Sequence, residues 1–263
     1  MKFSPDGVML AASSDAGTFR IRDLRSPSGS APPLGSYERA ISTIAFSPHG
    51  DLVAAGTLDG TVRFFDARTE RELERRAPVQ RGQVLALAFA PDGRTLVSGA
   101  DDGTLERWDV QARRALVPAL TDLDGSVNAL AFTASGDLLA VGGSDGRVRL
   151  WDPGSWTELG VSFTAGVGVI SALAFTPDGT ALAVAGETGA VRLWDPRKRS
   201  EVAQPLAGHT GAVLDIAFRA DGVLASAGVD GTVRLWRPFG DGSTLTGHTG
   251  RVLPGQEYHA TCA

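Results

Sequence analysis

Apolar runs return along this chain at a fixed interval. Phe3, Phe46, Phe89, Phe132, Phe175 and Phe218 stand 43 residues apart, and each opens a variant of one turn sequence: FSPDG, FSPHG, FAPDG, FTASG, FTPDG and FRADG. About 13 residues beyond each Phe comes a second glycine turn, at Asp59-Gly60, Asp102-Gly103, Asp145-Gly146, Thr188-Gly189 and Asp230-Gly231, with Ala16-Gly17 in the first copy. An aromatic–acid pair follows: Phe65-Asp66, Trp108-Asp109, Trp151-Asp152 and Trp194-Asp195, with Trp236-Arg237 last. A repeat of this length is one supersecondary unit that must bury its apolar face on its neighbours.

Each copy predicts three strands and room for a fourth. In the third copy Val84–Ala90 (VLALAFA) is continuous, Arg94–Gly99 follows the first turn and Thr104–Asp109 the second. The separators supply positive φ at glycine and join adjacent antiparallel strands. They are too short for a parallel crossover, which needs a dozen or more residues, so a βαβ barrel is excluded. The remainder of each copy, such as Ala67–Gln83, has room for one outer strand and its loops. Runs like VLALAFA do not alternate and need cover on both faces. Four-stranded units that stack on one another and leave only short edges close radially, as β-propellers.

The period, the Pro-Asp-Gly and Asp-Gly turns, the Val-Arg-Leu-Trp-Asp endings at 148–152 and 191–195, and Gly-His at 208–209 and 247–248 resemble the WD-repeat (tryptophan-aspartate repeat) β-propellers over essentially the whole chain. The resemblance implies a hydrogen-bonded tetrad inside each blade: a Gly-His histidine, a Ser or Thr on the second strand, the second-turn Asp and the third-strand Trp. One copy has all four, as His209, Ser226, Asp230 and Trp236. The third keeps Ser98, Asp102 and Trp108 with Gln80 in the histidine slot. The fourth has Leu123 and Val141, and the fifth has Gly166, Val184 and Thr188. The resemblance also implies a partner-binding rim on the face carrying the Gly-His and second-turn positions: Leu58, Gln83, Leu85, Asp101, Ser126, Asn128, Arg147, Ser171, Glu187, Leu214, Val229 and Arg251.

The repeat count sets the expected architecture: an all-β propeller of six four-stranded antiparallel blades over residues 1–254, followed by an irregular tail at 255–263. Arg251–Pro254 occupies the phase of Ala212–Asp215, and Met1–Phe3 that of Ile216–Phe218. The seam blade is therefore expected to be shared between the termini, with its inner strand contested by both chain ends. The competing reading is a piece of a longer, seven-bladed array with an open edge.

Composition refines this picture. With 43% hydrophobic and 21% charged residues in 263, the chain is a folded globular one. Its 33 glycines and 14 prolines agree with many tight turns. A net charge of −5 argues against a general polyanion binder. Among the basic residues only Lys2 and Lys198 are lysines, a bias suited to a GC-rich bacterial genome. One cysteine, Cys262, forms no internal bridge, and no apolar leader or membrane-length stretch is present, so a cytoplasmic setting is expected.

Candidate chemistry is sparse. His209, Ser226 and Asp230 are the residue types of a hydrolytic triad, but in this phase they form an internal strut with no strained elbow or oxyanion hole. His49 fills the Asp slot of a Pro-Asp-Gly turn and His259 lies in the tail, so no metal site and no cofactor are expected. Arg63–Arg81 mixes Arg68, Arg71, Arg75, Arg76 and Arg81 with Asp66, Glu70, Glu72 and Glu74, and reads as a solvated blade edge or a docking strip. Ser26–Gly35 (SPSGSAPPLG) is a loop by composition. Trp156, outside the third-strand slot, reads as packed under a loop, with an exposed anchor as the alternative. The expected function is a non-catalytic scaffold or sensor that holds a protein or peptide, part of a larger signalling protein, with no nucleic acid, membrane or small-molecule cofactor. A propeller enzyme would need Asp, Glu and His clustered at one rim phase, and Asp101 and Glu187 are too few. A nucleic-acid binder would need a basic rim.

Overall fold

The computed structural model describes residues 1–14, 18–25, 40–73, 80–239 and 244–249, with 117, 118, 120–122 and 244–249 as backbone. It is all-β: among the described residues there is no helix, and the strands form six small antiparallel sheets, the blades of a six-bladed β-propeller. The chain divides into two compact units, Met1–Val127 and Asn128–Ala263.

The first unit holds sheets one to three. Sheet one is β1 (Lys2–Phe3), β2 (Met9–Ser13) and β3 (Phe19–Asp23). Sheet two is β4 (Ile41–Phe46), β5 (Leu52–Thr57), β6 (Val62–Asp66) and β7 (Arg71–Leu73). Sheet three is β8 (Val84–Phe89), β9 (Thr95–Ala100), β10 (Thr104–Asp109) and β11 (Arg114–Asp122). Its core lies between successive sheets. Ala11, Phe19 and Ile21 pack on Ile44, Val53 and Phe65, with the Phe19 and Phe65 rings 4.7 Å apart. Ala54, Val62 and Phe64 pack on Val84, Leu96 and Trp108, with Phe64 edge-on to Trp108 at 6.4 Å.

The second unit repeats the arrangement. Sheet four is β12 (Val127–Phe132), β13 (Leu139–Gly143), β14 (Arg147–Asp152), β15 (Thr157–Glu158) and β16 (Phe163–Thr164). β15 and β16 pair with opposite ends of β14, so they are one outer strand broken at residues 159–162. Sheet five is β17 (Ile170–Phe175), β18 (Leu182–Gly186), β19 (Val191–Asp195) and β20 (Ser200–Glu201). Sheet six is β21 (Val213–Phe218), β22 (Leu224–Gly228), β23 (Thr232–Trp236) and β24 (Thr244–Thr249). Ala140, Val148 and Leu150 of sheet four pack on Ile170, Leu182 and Val184 of sheet five, and Ala183, Val191 and Leu193 on Val213, Leu224 and Trp236 of sheet six.

Three turn devices explain why the repeat folds this way. At the first turn, Ser47 Oγ accepts the Leu52 amide and donates to Asp51, and Thr133 does the same with Leu138 and Asp137. At the third, the acid of each aromatic–acid pair caps the hairpin: Asp66 Oδ1 accepts the amides of Arg68 and Thr69, and Asp195 Oδ1 those of Arg197 and Lys198. That hairpin places Glu70, Arg113, Trp156 and Arg199 in the left-handed region, at φ of 57°, 51°, 55° and 54°. The third device is close approach. A Cβ on Gly56 would lie 2.5 Å from Val84 Cγ1 of the next sheet, so only glycine lets these strands meet.

Several expectations change. The first strands were read as covered on both faces, yet β8 is fully covered only at Val84, Ala86 and Phe89, and it is the second strands that are covered throughout, β9 almost fully and β13 and β18 completely. Strand two has a neighbour along each edge, and its Ala, Gly and Val side chains admit a sheet on each face. Sheet one has three strands among the described residues; its expected fourth, the Ser26–Gly35 loop, the C-terminal share of the seam and the 255–263 tail all lie outside them. His248 belongs to β24, with its backbone opposite Val233. Of the charged stretch, Arg63 is no solvated edge: it is buried and donates to Glu72 at 2.9 Å. Trp156 is half-buried and occupies the left-handed position of its hairpin.

Candidate functional site

Two kinds of polar construction recur in each unit. One lies between strands two and three, and the other at the start of strand one.

In sheet six the first is complete. The network fixes the His209 tautomer: Nδ1–H donates to Asp230, 3.0 and 3.1 Å from its two oxygens, and Nε2 accepts from Ser226 Oγ at 2.7 Å. The same Ser226 oxygen accepts the Trp236 indole N–H at 2.8 Å. Asp230 also accepts the Thr210 and Thr232 amides and the Thr232 hydroxyl. Burial alone would push the Asp230 carboxyl up, but the Thr232 and His209 donors outweigh it and hold it well below the usual carboxylate range. Ser226, 1% exposed, has its oxygen bound by both ring systems, so it is a strut and offers no attacking group.

Sheet three has half of this. Trp108 Nε1 donates to Ser98 Oγ at 2.8 Å, while Asp102 accepts the amide and hydroxyl of Thr104 and is not joined to the other three. Gln80, buried in the histidine slot, gives its amide to Ser98 O and Thr104 at 3.3–3.4 Å, and its Oε1 has no donor. In sheets four and five the serine is Val141 and Val184, and the indole N–H groups of Trp151 and Trp194 have no acceptor. Sheet three carries a second departure. Glu106 is 8% exposed, with Oε2 unpartnered. Burial, and then the charge of Asp102, push its carboxyl up to about 7.

The second construction is a β-bulge. Pairing between strands one and two skips one residue in sheets two, three, five and six: Ser42, Leu85, Ser171 and Leu214. An extra residue leaves the ladder and re-aims its side chain. Ser42 donates to Val84 O and Ser171 to Val213 O, each the first residue of the next sheet's first strand, and Asn128 Nδ2 makes the same reach to Ile170 O at 3.0 Å. Leu85 and Leu214, half-buried, have no such bond to give.

Of the expected rim, the first unit joins Gln83 and Asp101 reciprocally, Gln83 N to Asp101 Oδ1 at 2.7 Å and Asp101 N to Gln83 O at 3.0 Å. Leu58 is exposed and anchored by its amide to Ala40 O, and Ser126 is half-buried. In the second unit Glu187 and Val229 are exposed, with their amides on Val169 O and Ala212 O, and Arg147 reaches Ser162 Oγ at 3.3 Å. Arg251 lies outside the described residues. Asn128 and Ser171 are tied to the neighbouring sheet, which leaves Leu85 and Leu214 as the bulge residues open to other contacts. Ser42 was missed although it stands one period before Leu85. Among the described residues no group of His, Cys, Asp and Glu could hold a metal ion, and no helix is long and apolar enough to cross a membrane.

Sheets two to six coincide with five matches to one family, described as WD domain, G-beta repeat (WD40), at residues 32–66, 76–109, 118–152, 159–195 and 200–237. The chain belongs to the WD40 family. No individual curated protein matches it, so the family carries the functional argument. WD40 propellers are generally protein-interaction scaffolds and typically non-catalytic. Four of the WD40 matches end on Asp66, Asp109, Asp152 and Asp195, the acids that cap the third hairpins.

Proposed function

We propose that this WD40 chain is a non-catalytic docking module of a larger cytoplasmic signalling protein, and that it holds a protein or peptide at the bulge positions. The observation that carries this reading is the split within one repeated phase. Where the residue at this phase is Ser42, Asn128 or Ser171, it is bonded to the next sheet; where it is Leu85 or Leu214, an apolar side chain stands half-exposed beside exposed turn residues, Asp101 in one case and Val229 in the other. Contact energy at interfaces concentrates in a few such anchors surrounded by weaker neighbours. The catalytic alternative draws no support from Ser226, whose oxygen is bound by both His209 and Trp236.

A photo-crosslinking residue placed at Leu214, and separately at Arg197 on the far-side hairpin, tests the reading in the source cell. The same partner should be captured from position 214 and not from 197, and Leu214→Arg, with an unchanged melt, should abolish its binding. Equal capture at both sites, or binding that survives both Leu214→Arg and Leu85→Arg, would overturn it.

A further inference from the structure

The third strand carries a repeated arginine: Arg63, Arg149, Arg192 and Arg234 stand two residues before the aromatic, and Arg20 holds the same phase in the first copy, where the aromatic slot is Arg22. In sheets two and five this arginine crosses to an acid on the outer strand, Arg63 to Glu72 at 2.9 Å and Arg192 to Glu201 at 2.6 Å. In sheet three both ends are changed. The arginine slot holds Glu106, and the slot of Glu72 and Glu201 holds Ala115. A lone carboxylic acid thus stands where its neighbours place a paired cation.

Its surroundings offer little to balance a charge. Leu87 on β8, Ser98 on β9 and Glu106 on β10 share one register row. Ser98 Oγ accepts the Trp108 indole N–H. From β11, Ala115 and Leu116 lie nearby, and the facing surface of sheet two is Ala54, Val62 and Phe64, packed on Trp108. Gln80 comes in from the preceding segment with an amide oxygen that lacks a donor. The charge that acts on Glu106 is Asp102 at the second turn, and it is of the same sign. Two buried acceptors in one layer without a donor, together with a repelling neighbour, describe a site one proton short.

We infer that sheet three is a proton-sensitive element, in which Glu106 is held as the neutral acid in the folded blade and its ionisation opens the layer between sheets two and three. The neutral acid brings one more donor to a layer in which Gln80 Oε1 and Glu106 Oε2 have none. The anion brings a second negative charge beside Asp102 into an apolar contact, which then has to admit water. The segment carrying Gln80 leads directly to Gln83, whose amide is bonded to Asp101. Loosening that segment reaches two rim positions of the first unit, a consequence separate from whether the rim holds a partner.

The sign is set by the direction of the shift. A carboxyl raised from its ordinary 4.5 to about 7 leaves stability at its fullest below the unfolded value and removes it as pH rises through neutrality. Thermal melts of the full chain from about pH 5.5 to about pH 8.5 should fall with rising pH, and Glu106→Gln should remove that part of the slope. The quantity read is the difference between the two proteins. Should Glu106→Gln fail to fold, the side-chain carboxyl carbon resonances of the wild-type protein report the midpoint directly. A Glu carboxyl titrating near neutrality, and lost in the double variant Glu106→Arg with Ala115→Glu, supports the inference. Equal pH slopes for wild type and Glu106→Gln, or all glutamates titrating in the ordinary range, would overturn it.

Discussion

In sheet six the indole of Trp236 ends a chain of four bonded side chains, whereas in sheet three the indole of Trp108 reaches Ser98 and the chain stops. Both indoles are buried, and both serine oxygens lie 2.8 Å from the ring nitrogen. The difference is one residue, His209 against Gln80. An imidazole has a donor and an acceptor on opposite edges and can join a hydroxyl to a carboxylate in line. An amide has both on one end, so Gln80 satisfies its donor and strands its acceptor. Sheets four and five go further and leave the indole N–H itself unpaired. The packing that these blades share is therefore enough to form a blade, and the network adds to it.

The largest break in this comparison is His209→Ala, which strands Ser226 and Asp230 and should destabilise the second unit by about 1–3 kcal/mol, against less than about 1 kcal/mol for Gln80→Ala in the first. Thermal and denaturant melts check the two values, and hydrogen exchange of the Val213–Phe218 and Val84–Phe89 amides assigns each to its unit. Repair should work in the opposite direction. With Ser98, Asp102 and Trp108 already present, Gln80→His is expected to add about 0.5–1.5 kcal/mol, read as a higher melting temperature. Acid should act on the second unit through Asp230. A carboxyl held low when folded contributes stability above its unfolded value and loses it as pH falls toward the folded one, so Asp230→Asn should flatten the acid limb of the melt. The smallest effect is expected at Val141→Ser, which offers Trp151 an acceptor but removes buried apolar surface, with a net change within about 0.5 kcal/mol.

Much of this architecture is legible in the sequence because its causes are local. The positive-φ glycines, the Ser or Thr that closes the first turn and the aspartate that caps the third hairpin all lie within a few residues of what they fix. Repetition at a 43-residue spacing then makes weak turn signals mutually reinforcing. The His209 set could be named for the same reason, from slots counted off one period. What escaped depends on the neighbouring sheet. The bulges at Leu85 and Leu214 show only in the pairing register, the tie from Ser42 ends on a carbonyl one sheet away, and the burial of Arg63 depends on Glu72 reaching back across β6. Continuous burial of strand two rather than strand one is likewise a property of stacking, which the apolar run VLALAFA does not encode. The departure at Glu106 was visible as a broken phase, but its meaning required knowing that Ala115 stands in place of its partner.

The bulges also bear on how the chain can change. Because each bulge residue sits outside the ladder, a new side chain there leaves the pairing register untouched, whereas a one-residue slip elsewhere in a strand would turn every side chain to the opposite face. Leu85 and Leu214, which make no tie to the next sheet, are thus separately editable positions on an invariant frame, and randomising these two alone should yield folded libraries that differ in what they recognise.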